Sequence, residues 1–214
     1  MAEKLLRTLA EQVEPKHTAL LIIDPQKDFC APDGALARIF RQDVSRIPDA
    51  VNRLNIFIQK ARQAGVLVVW VRLVISDDKR RPNVKAMRGD GDAIMVAREG
   101  SDGINWYSEI VQPLPTEHIV TKWSYDAFAD TELDLLLSSK GVKTLLFTGF
   151  ATNVCVETTA RDGYIKGYYV VLVSDCTEAY TRQEYESAVF NIKTYFGKVA
   201  TTNDVIRIWK SVPE

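Results

Sequence analysis

The chain has 214 residues, a length that suits one domain with a sizeable core, here expected to run over 1–214. It is 46% hydrophobic and 26% charged, and 27 basic residues against 28 acidic ones leave a net charge of −1. Without a basic stripe, nucleic acid is excluded as the main partner; without a signal-type start or an apolar run of roughly 18 residues, so is a membrane.

In chain order, "TALLIID" (18–24) is the first short apolar run and ends in an acid. "IPDAVNRLNIFIQKARQAG" (47–65) has apolar residues at Val51, Leu54, Ile58 and Ala61, a helical period closed by a glycine C-cap. "VLVVWVR" (66–72) is a second apolar run. The stretch 76–103 that follows is polar, Gly-rich and too long for a simple connection, so it is expected to be an irregular excursion serving as a lid or a subunit contact. "HIVTK" (118–122) is a short strand pattern, and 131–141 is a helical one ending in Gly141. "KTLLFTG" (143–149) and "YYVVLVSD" (168–175) are apolar strands, 182–197 is a helix ending at Gly197, and "GKVATT" (197–202) is the last strand. Apolar runs without strict alternation suit strands buried on both faces of a parallel sheet. Their alternation with helices implies right-handed crossovers and a three-layer α/β/α sandwich.

In such sheets ligands bind beyond the carboxyl ends of the strands. Asp24, Arg72, Lys122, the 149–155 turn and Asp175 end successive strands. Three widely spaced cysteines, an odd number, do not make a disulfide framework and point to a reducing, cytoplasmic compartment. Cys155 sits where a helix is expected to begin, near Thr152 or Asn153. Unpaired N–H groups and the helix dipole there favour a thiolate, and Lys122 adds a second positive charge. The same N–H groups can receive an oxyanion, and Asp24 can take the thiol proton and pass it to a leaving amine. The plain alternatives are a buried apolar cysteine and solvated strand-end charges. Cys30 and Cys176 lie near the same edge and read as packing residues.

The stretches "ALLIIDPQKDFCAPDGAL" (19–36), "VTKWSYDAFADTELDLLL" (120–137) and "LLFTGFATNVCVETTARDGYIKGYYVVLVSDCTEAY" (145–180) resemble the isochorismatase-like cysteine hydrolases, and the likeness runs through essentially the whole chain. It implies a six-stranded parallel sheet of order 3-2-1-4-5-6 and a triad of Cys155 (nucleophile), Asp24 (general base) and Lys122. It further implies a cis peptide at Phe150–Ala151, an oxyanion hole from the Ala151 and Cys155 N–H groups, and a homodimer or homotetramer. By position in the matched stretches, Phe29, Tyr125 and Phe128 are expected to line the substrate site, with Gln26 and Asn153 nearby. Nicotinamidases of this family hold a metal through an Asp-x-His motif after the second strand. Here 71–78 contains no histidine, and the two in the chain are His17 and His118, so no metal and no cofactor are expected. The vinyl-ether-cleaving isochorismatases lack the nucleophilic cysteine, which weighs against that reaction. Within the family the ureidoacrylate amidohydrolase group is the most similar, so the expected partner is a small amide or ureido substrate. Nicotinamidase-type or vinyl-ether chemistry, or a non-catalytic scaffold, are the alternatives.

Overall fold

The computed structural model describes residues 4–88 and 96–211, so 89–95 of the expected excursion lie outside the described residues. Six strands, β1 (Thr18–Ile23), β2 (Leu67–Leu73), β3 (His118–Lys122), β4 (Thr144–Phe150), β5 (Tyr169–Glu178) and β6 (Gly197–Ala200), form one sheet of order β3-β2-β1-β4-β5-β6. Every pairing is parallel. The central strands β1 and β4 are buried along their whole length, which accounts for their unbroken apolar runs.

The helices are α1 (Leu9–Gln12), α2 (Lys27–Cys30), α3 (Ala35–Arg38), α4 (Ile47–Gln63), α5 (Pro82–Arg88), α6 (Leu133–Ser139), α7 (Glu157–Ile165), α8 (Arg182–Asn191) and α9 (Thr202–Ser211). They cover the sheet on both faces. On one, Val51, Leu54, Phe57 and Ile58 of α4 and Trp209 of α9 pack on Leu20, Ile22, Val68 and Trp70, with the Phe57 and Trp209 rings stacked at 5.2 Å. On the other, Leu133 and Leu137 of α6 and Ala160 of α7 pack on Leu21, Ile23, Val71 and Phe147. None of the described helices is long and apolar enough to cross a membrane.

Register determines what meets at the carboxyl edge. Ile23 lies opposite both Val71 and Gly149, and Leu73 lies opposite Lys122. The residues that follow β1, β3 and β4 therefore emerge at one level. One expected boundary moves. The helix expected to run to Gly197 stops at Asn191 and is followed by a π-type turn, Ile192–Phe196. Gly197 is extended rather than left-handed (φ 173°) and starts β6. A Cβ there would stand 2.1 Å from the Val170 carbonyl oxygen, so this glycine serves the close approach of β6 to β5 and not a helix cap.

The described part of the excursion is tied back to the sheet. Ile75 N–H donates to the Ala97 carbonyl at 2.7 Å and Glu99 N–H to the Ile75 carbonyl at 2.9 Å. Asp28 is its buried anchor: Oδ2 accepts from Ala97 N–H at 2.7 Å and Oδ1 from Ala35 N–H at 3.0 Å. Asp28→Ala leaves two buried N–H groups without an acceptor, and we expect it to cost about 3 kcal/mol of unfolding free energy. Denaturant titration with an unchanged m-value checks this.

Candidate active site

Asp24 follows β1 in the left-handed region (φ 51°), a conformation aspartate tolerates better than most side chains. Its N–H still reaches the Val71 carbonyl at 2.9 Å, so the turn is made at the last rung of the ladder. Lys122 is the final residue of β3. The Lys122 Nζ lies 2.8 Å from Asp24 Oδ2, and both side chains are 0% exposed. The approach is close but off the direction of a hydrogen bond, which leaves both Asp24 oxygens without one among the described residues. We treat the contact as an ion pair, because at this distance charge attraction does not depend on lone-pair alignment. The Lys122 ammonium donates to the Ser124 carbonyl at 3.0 Å.

Between these charges comes the turn after β4. Gly149 adopts φ 107°, and a Cβ on it would stand 1.9 Å from the Ile23 carbonyl oxygen, so only glycine lets β4 leave the sheet this close to Asp24. The Phe150–Ala151 peptide is cis. Thr177 Oγ1 donates to the Gly149 carbonyl at 2.7 Å and shares a 2.7 Å hydrogen bond with Thr152 Oγ1, which pins the turn to β5. The expected α-helical start at Thr152 or Asn153 is instead a π-type turn, Thr152–Val156, with α7 following at Glu157. The Ala151 carbonyl accepts from the Val154 and Val156 N–H groups at 3.2 and 3.3 Å. The wide turn thus steps over the N–H of Cys155, the residue whose N–H an α-helix would direct to that carbonyl.

Burial sets the protonation states. Cys155 is 3% exposed; burial pushes its thiol up to about 12, Lys122 pulls it down and Asp24 pushes it up again. Burial thus works against the thiolate that the helix start and Lys122 favour. Burial also raises the Asp24 carboxyl, against the pull of Lys122 and the Cys155 thiol. Burial lowers Lys122, but the charges of Asp24 and Cys155 more than offset it, and its net shift is upward. An ammonium, a carboxylate and a thiol that each sense the other two occupy one dry site.

The expected lining residues fare differently. Phe29 and Phe128 are buried on opposite faces of the sheet, and the Phe128 ring stacks on Tyr168 at 5.9 Å. Tyr125 is 44% exposed. Asn153 Oδ1 is a buried acceptor without a hydrogen bond among the described residues. The Gln26 amide donates to the Leu73 and Ile104 carbonyls at 2.9 and 3.0 Å and accepts from Leu73 N–H at 2.8 Å. At 0% exposure it holds the 104–106 segment to β2, with both amide protons used and one Oε1 lone pair remaining. A depression of about 390 Å³ beside it, lined by Lys27, Asp33, Asp102, Trp106 and Tyr107 among others, includes none of Asp24, Lys122 or Cys155. His17 and His118 stand at the amino ends of β1 and β3, the edge opposite Asp24 and Lys122. Among the described residues no cluster of three His, Cys, Asp or Glu is arranged to hold a metal. Tyr180, not singled out in the sequence, is buried and donates to the Phe29 carbonyl at 3.2 Å; its only sequence signal is an aromatic just past a strand end.

Residues 18–204 match the model of the isochorismatase domain. The chain belongs to the isochorismatase family. It is 34% identical to ureidoacrylate amidohydrolase RutB of Enterobacter sp. (strain 638), over 89% of this chain and 88% of that one. A cysteine hydrolase from Pseudomonas syringae pv. phaseolicola 1448A superposes with a TM-score of 0.80 at 29% identity, covering 99% of both chains. An isochorismatase family protein from Desulfovibrio vulgaris subsp. vulgaris str. Hildenborough gives 0.76 at 27% identity, covering 91% of this chain and 99% of its own. The strand order seen here is the isochorismatase-like one that the sequence resemblance implied.

Two outcomes follow from the electrostatics. Lys122→Met strands the Asp24 carboxylate in the interior and is expected to cost roughly 3–5 kcal/mol at neutral pH. The loss shrinks in acid, where Asp24 becomes neutral, and denaturation across pH measures it. The Cys155 thiol is raised in the fold from an ordinary 9.0 to about 12, so its contribution to stability is complete below pH 9 and is lost as pH rises toward 12. Wild type should lose stability over that window more steeply than Cys155→Ala, by up to roughly 1.4 kcal/mol per pH unit.

Proposed function

We propose that this protein is a cysteine-dependent amidohydrolase that cleaves a C–N bond of a small ureido, carbamoyl or amide substrate through a thioester-type intermediate. The observation behind the reading is the fully buried Asp24–Lys122 pair set against the Cys155 thiol. The 34% identity to a ureidoacrylate amidohydrolase supports the ureido class.

The cycle begins with a neutral thiol. As Sγ attacks the substrate carbonyl carbon, Asp24 takes the thiol proton, and its raised pKa brings base and acid nearer to a match. The carbonyl π electrons move to oxygen, where the Ala151 and Cys155 N–H groups receive the charge; the π-type turn, which withholds the Cys155 N–H from the Ala151 carbonyl, supports that role. When the tetrahedral species collapses, the C–N bond breaks and Asp24 returns the proton to the leaving nitrogen. Water then attacks the thioester carbon with Asp24 as base again, and expulsion of sulfur with a proton restores the thiol. Lys122 keeps Asp24 in place and balances the negative charge that passes between carboxylate and sulfur. Phe29, Tyr125, Phe128 and Asn153 surround the substrate in this reading, whereas Gln26 acts as a brace. Nothing in the cycle changes redox state, so no redox cofactor is called for.

The reading extends to a homodimer or homotetramer in a reducing, cytoplasmic compartment. Exposed Tyr164, Ile165, Phe190 and Tyr195, with Tyr164 and Tyr195 against the Phe196 ring at 5.6 and 6.3 Å, make a face for a second copy. All three cysteines are free.

Ammonia release from ureidoacrylate, biuret, N-carbamoyl amino acids, nicotinamide and aliphatic amides tests the chemistry. Turnover of a ureido or carbamoyl compound should fall at least about 1,000-fold in Cys155→Ala. Turnover that survives the substitution rejects the cysteine mechanism, and turnover confined to nicotinamide rejects the ureido and carbamoyl class.

A further inference from the structure

Thr159 lies one turn into α7, fully buried, and is not among the triad, oxyanion or lining residues. Its hydroxyl makes two hydrogen bonds of different sense. It donates to the Cys155 carbonyl at 2.7 Å and accepts from the Ala127 N–H at 3.1 Å. Back-bonding to the carbonyl four residues earlier is common for a helical threonine. The second bond is not helical: it reaches the segment after β3 that runs from Lys122 past Tyr125 to Phe128. A buried loop N–H needs an acceptor, and many groups would serve. Here the acceptor is tied to the nucleophile's own carbonyl.

The consequence is geometric. The Glu157 N–H is shared between the Thr152 and Val154 carbonyls, which restrains the peptide plane before the Cys155 Cα; Thr159 holds the plane after it. With both planes held, rotation of the Cys155 N–H and the Cα–Cβ bond is coupled to the loop that follows Lys122. That loop is braced from its other side, where Thr131 Oγ1 donates to the Ala127 carbonyl at 2.5 Å and Phe128 N–H to Asp126 Oδ1 at 3.0 Å. Only a hydroxyl both donates and accepts at one atom without charge, so valine, the same shape, breaks both links, and serine keeps them.

We propose that Thr159 is a positioning residue that sets the nucleophile turn against the Lys122 loop, aligning the Cys155 N–H and thiol with Asp24 and Lys122 for attack. The proposal rests on the reading of Cys155 as the nucleophile. Its action is on the chemical step rather than on binding, because it touches the nucleophile's backbone and not the substrate.

The test compares Thr159→Val, Thr159→Ala and Thr159→Ser with wild type, using ureidoacrylate turnover and iodoacetamide alkylation of Cys155 followed by mass mapping of its peptide. Misplaced reacting groups lose roughly 10- to 100-fold in rate, so kcat of the valine and alanine variants should fall by about that factor with KM within about threefold. Their alkylation at one fixed pH should also slow, by about threefold or more. Serine should retain at least about a third of kcat, because it restores both hydrogen bonds and lacks only the methyl that stiffens χ1. Valine or alanine variants that melt earlier but keep kcat and the alkylation rate would overturn the proposal. So would a serine variant as impaired as valine, or failure of both hydroxyl-free variants to fold, either of which makes the residue structural. Cys155→Ala separates the premises: if it leaves turnover intact, the nucleophile reading has failed, whereas abolished turnover with a neutral Thr159→Val removes this inference alone.

Discussion

The Asp24–Lys122 ion pair is the constraint to which the rest of the site answers. Two opposite charges at 2.8 Å with no exposure give up their hydration, and the attraction between them returns only part of that cost. A pair of apolar side chains of similar volume would hold the sheet edge at least as well. What apolar residues cannot do is keep a carboxylate ionised where water does not reach. Lys122 opposes the burial that raises the Asp24 carboxyl, and Asp24 in turn keeps the lysine charged against the same desolvation. The pair makes poor sense as a staple, which supports the proposed role of Asp24 as a base.

The fold brings the pair together through register alone. Ile23, Val71 and Gly149 are level, and so are Leu73 and Lys122, so three chain segments far apart in sequence leave the sheet at one edge. Each then turns sharply rather than running on into solvent. Asp24 accepts a left-handed backbone, and Gly149 gives up a side chain so that β4 can pass the Ile23 carbonyl. The Thr152–Thr177–Gly149 bonds hold the last turn in place. Strain and close approach cluster where the charges sit, as expected when the surrounding packing over-determines a site.

Much of this was legible in the sequence, for a physical reason. Strands buried on both faces must be apolar throughout, so a charge that ends such a run marks a sheet edge, and Asp24 announces itself this way; Lys122 ends the partly exposed strand β3, and the family resemblance is what picks it out. Cys155 follows because small residues between a strand and a helix make a turn. What could not be read depends on partners remote in sequence. Gln26 looks like a polar group beside a base, and only the Leu73 and Ile104 backbone shows that its amide protons are already used. Gly197 reads as a cap until Val170 is placed beside it. The π-type turn is likewise a tertiary outcome, in which the Ala151 carbonyl is taken by Val154 and Val156, and no local pattern distinguishes it from an ordinary first turn.

The protonation state of Cys155 is the sharpest example, and it bears on how the site works. A helix start beside a lysine suggests a thiolate, yet the neighbourhood already holds one anion, Asp24, matched to one cation, Lys122. A second anion at sulfur would leave the dry site with net negative charge, which burial penalises steeply. With the proton on sulfur the three groups sum to zero. In the proposed reaction attack would keep that sum, because the proton would move to Asp24 as negative charge passes from the carboxylate through sulfur to the substrate oxygen. The charge never accumulates on the thiol unless a carbonyl is present to receive it. A buried neutral thiol is also a poor target for oxidants and alkylators, whose reaction needs the thiolate. In the proposed function the same balance of charge would keep Cys155 quiet without substrate and let it react when one is bound.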